Sequence, residues 1–82
     1  MGMTYLAMAD SYAELGQSRE AIAAYKKAAQ GGQVEGYFGL AVSYQTVGDN
    51  TNAIQSYEVY LQRAPKGANA PVARAMLDTL KK

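Results

Sequence analysis

Displaced by thirty-two residues, the chain falls on itself. Tyr5 meets Tyr37, Ala9 meets Ala41, Tyr12 meets Tyr44 and Gly16 meets Gly48. Ala21, Ile22 and Tyr25 meet Ala53, Ile54 and Tyr57, while Met8 and Leu15 meet the similar Leu40 and Val47. Six of the seven tyrosines form three matched pairs, a spacing that a merely solvated surface has no reason to keep. A period of this length marks stacked supersecondary units, each of which buries its apolar face only against a neighbour. In 82 residues there is room for two such units and a remainder.

Inside each unit the apolar spacing is helical. Tyr5, Met8, Ala9, Tyr12 and Leu15 step by three and four, which draws one stripe along a helix. Gly16 ends that helix because glycine turns left-handed without steric cost. Ser18 is the expected cap of the second helix, with Glu20 in its first turn. Ala21, Ile22, Tyr25, Ala28 and Ala29 share a face of that helix, and Gly31-Gly32 breaks it. The second unit repeats the plan with Tyr37, Leu40, Ala41, Tyr44 and Val47, a turn at Gly48-Asp49, and Asn50 as the expected cap. Ala53, Ile54, Tyr57, Tyr60 and Leu61 form its second stripe. That helix stops before Pro65, since the residue preceding a proline avoids the α region. A fifth helix follows, with Pro71 in its first turn and Val72, Ala73, Met76, Leu77 and Leu80 on one face. Lys81 and Lys82 suit its end, where cations meet the negative pole of the helix dipole.

The expected fold is all-α, an α-α superhelix of two helix-turn-helix repeats plus a capping helix, five helices in all. It forms a single domain over 1–82, with repeats over 2–33 and 34–67 and the capping helix over 71–82. Small Ala9 and Ala21, and Ala41 and Ala53 after them, let the two helices of a unit approach closely.

Composition narrows the chemistry. The chain has no His and no Cys, which leaves it without the commonest general base and without thiolate or disulfide chemistry. Asp10 and Glu14 lie four apart on one helix, yet nothing nearby completes a metal or acid–base set, so they read as a solvated face. Gly31-Gly32 lacks the surroundings of a phosphate loop. Eight basic and seven acidic residues give a net charge of +1 with no charged block, which points away from nucleic acid. Apolar runs of a few residues are far too short for a membrane span. No catalytic residue, cofactor or metal is expected. The cytoplasm is the default compartment, with the periplasm the alternative for part of an exported protein.

The ordered set resembles the tetratricopeptide repeat, a helix-turn-helix unit of about 34 residues with scattered large and small positions. The first copy reads Tyr5, Met8, Ala9, Tyr12, Leu15-Gly16, Ala21, Tyr25, Ala28. The second reads Tyr37, Leu40, Ala41, Tyr44, Val47-Gly48, Ala53, Tyr57 and Pro65. The resemblance spans residues 4 to 66, with the last helix as a cap. It departs from the pattern in a short first unit, in Gln33 where the family often has proline, and in Tyr60 at the small position held by Ala28. The resemblance implies a module that binds a peptide or protein segment in a concave groove lined by the first helices.

On that reading the groove face carries Met3, Leu6, Ala7, Asp10, Ala13 and Glu14, then Glu35, Phe38, Gly39, Val42, Gln45 and Thr46. Leu6, Asp10, Glu14, Phe38, Val42 and Gln45 are the residues expected to meet a ligand. Leu6, Phe38 and Val42 serve equally well as plain packing. Ala7 and Gly39 are small enough to leave room. A family subtype that clamps carboxylates uses Lys, Arg and Asn, which this face lacks. The expected partner is therefore an apolar segment with some basic residues. Repeats need neighbours, and the first unit lacks one. The chain is thus expected to be the C-terminal part of a larger repeat protein. The alternative is self-association, a homodimer closing over the uncapped N-terminal face.

Overall fold

The computed structural model describes residues 4–82, and the expectation for Met3 lies outside them. Five α-helices follow one another: α1 (Tyr5–Glu14), α2 (Ser18–Gln30), α3 (Glu35–Thr46), α4 (Asn50–Arg63) and α5 (Ala70–Leu80). Each packs on the next, and α1 also reaches α3, so that two hairpins and a single helix stack in sequence order. The molecule is drawn out to 41 × 26 × 17 Å. Such an elongated shape follows when each unit touches only its neighbours.

The turns recur at half the repeat. Gly16, Gly32 and Gly48 hold φ of 76°, 93° and 84°, the left-handed region. The next residue then returns a hydrogen bond into the helix just ended, from Gln17 N to Tyr12 O at 2.8 Å, Gln33 N to Ala28 O at 3.0 Å and Asp49 N to Tyr44 O at 2.9 Å. This is the Schellman closure, which satisfies carbonyls that the helix leaves open. The fourth such position is Ala64 before Pro65, and α4 ends there as expected.

The expected caps shift by one residue. Gln17, not Ser18, precedes α2 and makes no side-chain cap. Asp49, not Asn50, caps α4 by accepting from Asn52 N at 3.3 Å. The Schellman closure sets the cause, because it brings the chain back into helix one residue earlier. Thr4 caps α1, its hydroxyl accepting from Ala7 N at 3.1 Å. The capping helix begins at Ala70 with Pro71 in its first turn.

The small positions do what their spacing predicts. Ala9, Ala21, Ala41, Ala53 and Ala73 are all 0 % exposed. Two clusters form the core. Ala9, Ala21, Ala24, Tyr25 and Leu40 hold the first unit to α3. Ala41, Ala53, Tyr57, Tyr60, Ala70 and Ala73 hold the second unit to α5. Tyr44 packs against both clusters and joins them. The stripes are less complete than their periodicity suggests. Tyr5, Leu15 and Val47 stay exposed at helix ends, Tyr5 with Lys27 of α2 over its ring at 5.3 Å. Tyr60, the departure from the repeat pattern, is fully buried and with Tyr57 is among the largest enclosed side chains.

Gly39 behaves differently from expectation. Rather than leaving room for a ligand, it receives the Tyr25 ring, whose edge occupies the space a Cβ would take. Replacing Gly39 by Ala must push that ring out of the first cluster. A loss of about 1–3 kcal/mol in unfolding free energy is expected, measurable by denaturant titration.

The buried tyrosines also hydrogen-bond. Tyr25 donates to Asp10 Oδ1, Tyr57 to Gln45 Oε1 at 2.9 Å, and Tyr60 to Glu35 Oε2 at 2.8 Å. Burial raises all three phenols above their ordinary value, and for Tyr25 and Tyr60 the carboxylate partner raises it further. The folded state therefore keeps these protons where the unfolded chain releases them, above about pH 10. Their stabilisation is complete below that pH and drains away as pH climbs through the raised folded values. The denaturation midpoint should stay level from pH 7 to 9 and fall above 10, less steeply in Tyr57→Phe. A midpoint unchanged up to pH 12 would contradict this account.

Candidate functional site

The first helices of the two units, α1 and α3, border a cavity of about 420 Å³. Leu6 and Asp10 line it from α1, Phe38, Gly39 and Val42 from α3, with Tyr25, Glu35 and Asn69 completing the wall. Four of the six residues expected to meet a ligand thus come together: Leu6, Asp10, Phe38 and Val42. Two do not. Glu14 is exposed on α1 and lies outside the lining. Gln45 turns toward the helices behind it, accepting from Tyr57 and donating to Met76 Sδ at 3.9 Å. It is held within the fold rather than presented to the cavity.

The apolar wall is braced. Phe38 is partly buried and packs edge-on to Tyr57 at a centroid distance of 5.9 Å and against Tyr60 at 5.6 Å. Leu6 rests on the first core cluster. Each therefore serves packing and still faces the cavity. Val42 is 41 % exposed and is the freest apolar group there.

The acidic groups differ in how much of their charge is free. Glu35 spends both oxygens inside the protein: Oε2 accepts from Tyr60 and Oε1 accepts from Asn69 Nδ2 at 2.7 Å. Asn69 N in turn donates to Tyr60 Oη at 3.1 Å, which ties the loop before α5 to the second unit. Asp10 is exposed and accepts from Tyr25 through Oδ1, while Oδ2 carries no bond among the described residues. The open carboxylate on this wall is thus Asp10. No Lys or Arg side chain lines the cavity.

Tyr25 and Asn69 were not among the residues expected on this face. Tyr25 was legible only as a core position, because periodicity fixes the ring and says nothing about where the hydroxyl emerges. Asn69 sits in the loop before α5, outside the repeat, and carries no spacing signal. Among the described residues, no three His, Cys, Asp or Glu side chains gather where they could hold a metal ion. No described helix is long and apolar enough to cross a membrane.

Comparison with known proteins agrees with the geometry. The sequence model of the tetratricopeptide repeat matches residues 4–30 and again 34–66, which together make up more than half of the chain. No curated protein and no solved structure gives a significant match. Two consecutive matches fall on the two helical hairpins α1–α2 and α3–α4. Repeats of this kind mediate protein–protein interaction, and this chain belongs to the tetratricopeptide repeat family.

Proposed function

We propose that the chain holds an apolar protein segment bearing basic residues on the face between α1 and α3, without catalysing a reaction on it. The observation that carries this reading is the cavity itself. It places Leu6, Phe38 and Val42 beside one carboxylate, Asp10, with a free oxygen. Apolar side chains of a partner would bury against the first three, and a Lys or Arg on the same segment would meet Asp10. A carboxylate-terminated ligand finds no cation on this wall. A few such anchors support an affinity of about 8 kcal/mol, in the micromolar range.

The test is a titration followed by NMR. The probes are two short helical peptides with leucines spaced three and four apart on one face, one carrying lysines and the other glutamates on the remaining positions. The lysine peptide should shift the resonances of Leu6, Asp10 and Val42, with the glutamate peptide leaving them in place. Val42→Lys, at an exposed position that leaves the core alone, should weaken binding at least ~10-fold by setting like charge against the ligand. Shifts confined to α2 and α4, or equal binding of both peptides, would overturn the proposal.

A further inference from the structure

A hollow of about 220 Å³ lies between α3 and α4, lined by Tyr37 and Tyr44 from α3 and by Asn52, Gln55 and Ser56 from α4. Helical spacing sets Tyr37 and Tyr44 on the opposite side of α3 from Phe38 and Val42, which face the α1–α3 cavity. The repeat supplies a counterpart. Thirty-two residues earlier, Tyr5, Tyr12, Glu20, Ala23 and Ala24 line the same place between α1 and α2. That hairpin packs with alanines at 23 and 24, so the contact between its helices has no need of Gln55 or Ser56. Where the first unit has a carboxylate and two methyl groups, the second has three uncharged hydrogen-bonding side chains. Asn52 spends its side-chain amide on Asp49 Oδ2 at 2.7 Å. The other two are free. Gln55 is exposed, and Ser56, only 7 % exposed, still lines the hollow. Neither side chain has a hydrogen-bond partner among the described residues. No enclosed side-chain polar atom there is left unsatisfied, so the Ser56 hydroxyl opens into the hollow.

Its rim is cationic. Lys26 of α2 stands over the Tyr44 ring, 5.9 Å from the centroid, and Arg63 of α4 over the Tyr37 ring at 5.3 Å. Both cations are exposed, and neither forms a salt bridge among the described residues. The acids of this hairpin are engaged elsewhere: Asp49 with Asn52, Glu58 with Lys81 at 2.7 Å, and Glu35 with Tyr60 and Asn69.

We infer that this hollow binds an acidic segment of another protein, two of whose carboxylates meet Lys26 and Arg63 while a polar group between them meets Gln55 and Ser56. Tyr37 and Tyr44 are two helical turns apart, so the rings beneath the two cations are separated by about 10 Å. A helix with glutamates two turns apart carries carboxylates at the same spacing. Two cations suit a short segment of this kind. A phosphate backbone or an anionic bilayer is held by many cations at once, and a net charge of +1 supplies no broader basic field. The hollow and the α1–α3 cavity lie on opposite sides of α3, and neither reading depends on the other.

The experiment titrates the isotope-labelled 82-residue chain with an alanine-based helical peptide carrying two glutamates two turns apart, against a control peptide with glutamines in their place. At about millimolar peptide the glutamate form should shift the Gln55 side-chain amide and the backbone amides of Tyr37 and Ser56. Leu6 and Val42 should stay in place, and the glutamine form should move none of these signals. Lys26→Gln combined with Arg63→Gln, at two exposed positions, should weaken binding at least ~10-fold. Gln55→Ala combined with Ser56→Ala installs the residues that the first unit carries at 23 and 24, and should weaken binding at least ~3-fold with no change of charge. Thermal unfolding confirms that each variant is folded. Undiminished binding in the alanine pair would reduce the contact to surface charge and overturn the inference, as would an equal response to both peptides. Vesicles of phosphatidylserine and phosphatidylcholine and a short single-stranded DNA are the remaining arms. If either shifts Gln55 and Ser56 at a lower anion concentration than the glutamate peptide, the occupant is a different polyanion and the acidic segment is ruled out.

Discussion

The structure depends on how closely α2 can lie between α1 and α3. Ala9 and Ala21 meet without exposed surface on one side, and Gly36 and Gly39 yield to α2 on the other. A Cβ on Gly36 would sit 2.8 Å from Ala29 N and 3.0 Å from Tyr25 O, so backbone meets backbone there. At such separations a methyl group is felt, because interiors are close-packed and cannot absorb extra volume. The large groups then fill what the small ones leave. Tyr25, Tyr57 and Tyr60 are 5 %, 1 % and 0 % exposed, Tyr25 in the first core cluster and the other two in the second. Rings supply the buried area, and alanine and glycine supply the approach that makes it available.

The polar groups follow from the same seams. A tyrosine buried up to its ring must find a partner for its hydroxyl. Asp10, Gln45 and Glu35 provide these partners, and no buried side-chain polar atom among the described residues is left without a bond. This sorts the side chains of the α1–α3 wall by availability. Glu35 and Gln45 are committed to the fold, whereas Asp10 and Val42 remain open to a partner. Packing therefore selects which members of a nominal groove can do more than hold it together.

Much of this was legible in the residues. The thirty-two-residue period located both hairpins, and the glycines at 16, 32 and 48 located the turns. The alanine positions identified the close contacts, and Pro65 and Pro71 bounded the connection to the last helix. The errors share a cause. Ser18 and Asn50 were expected as caps on composition, but the Schellman closure preceding them starts each helix one residue earlier. Tyr5, Leu15 and Val47 were assigned to stripes by period, but period does not say how fully a neighbour covers each position of a stripe.

By itself the sequence determined which residues are helical, where the chain reverses, and that two like units stack, since these follow from local periodicity and from residues with special backbone freedom. The family resemblance added a groove face of Leu6, Asp10, Glu14, Phe38, Val42 and Gln45, of which Leu6, Asp10, Phe38 and Val42 line the cavity between α1 and α3. Only the tertiary structure decided which of those residues are spent. Hydroxyls at the tips of long side chains reach across seams whose width depends on every contact in the stack. No local rule could place the Tyr25 ring over Gly39, the Tyr60 hydroxyl on Glu35, or Asn69 beside them.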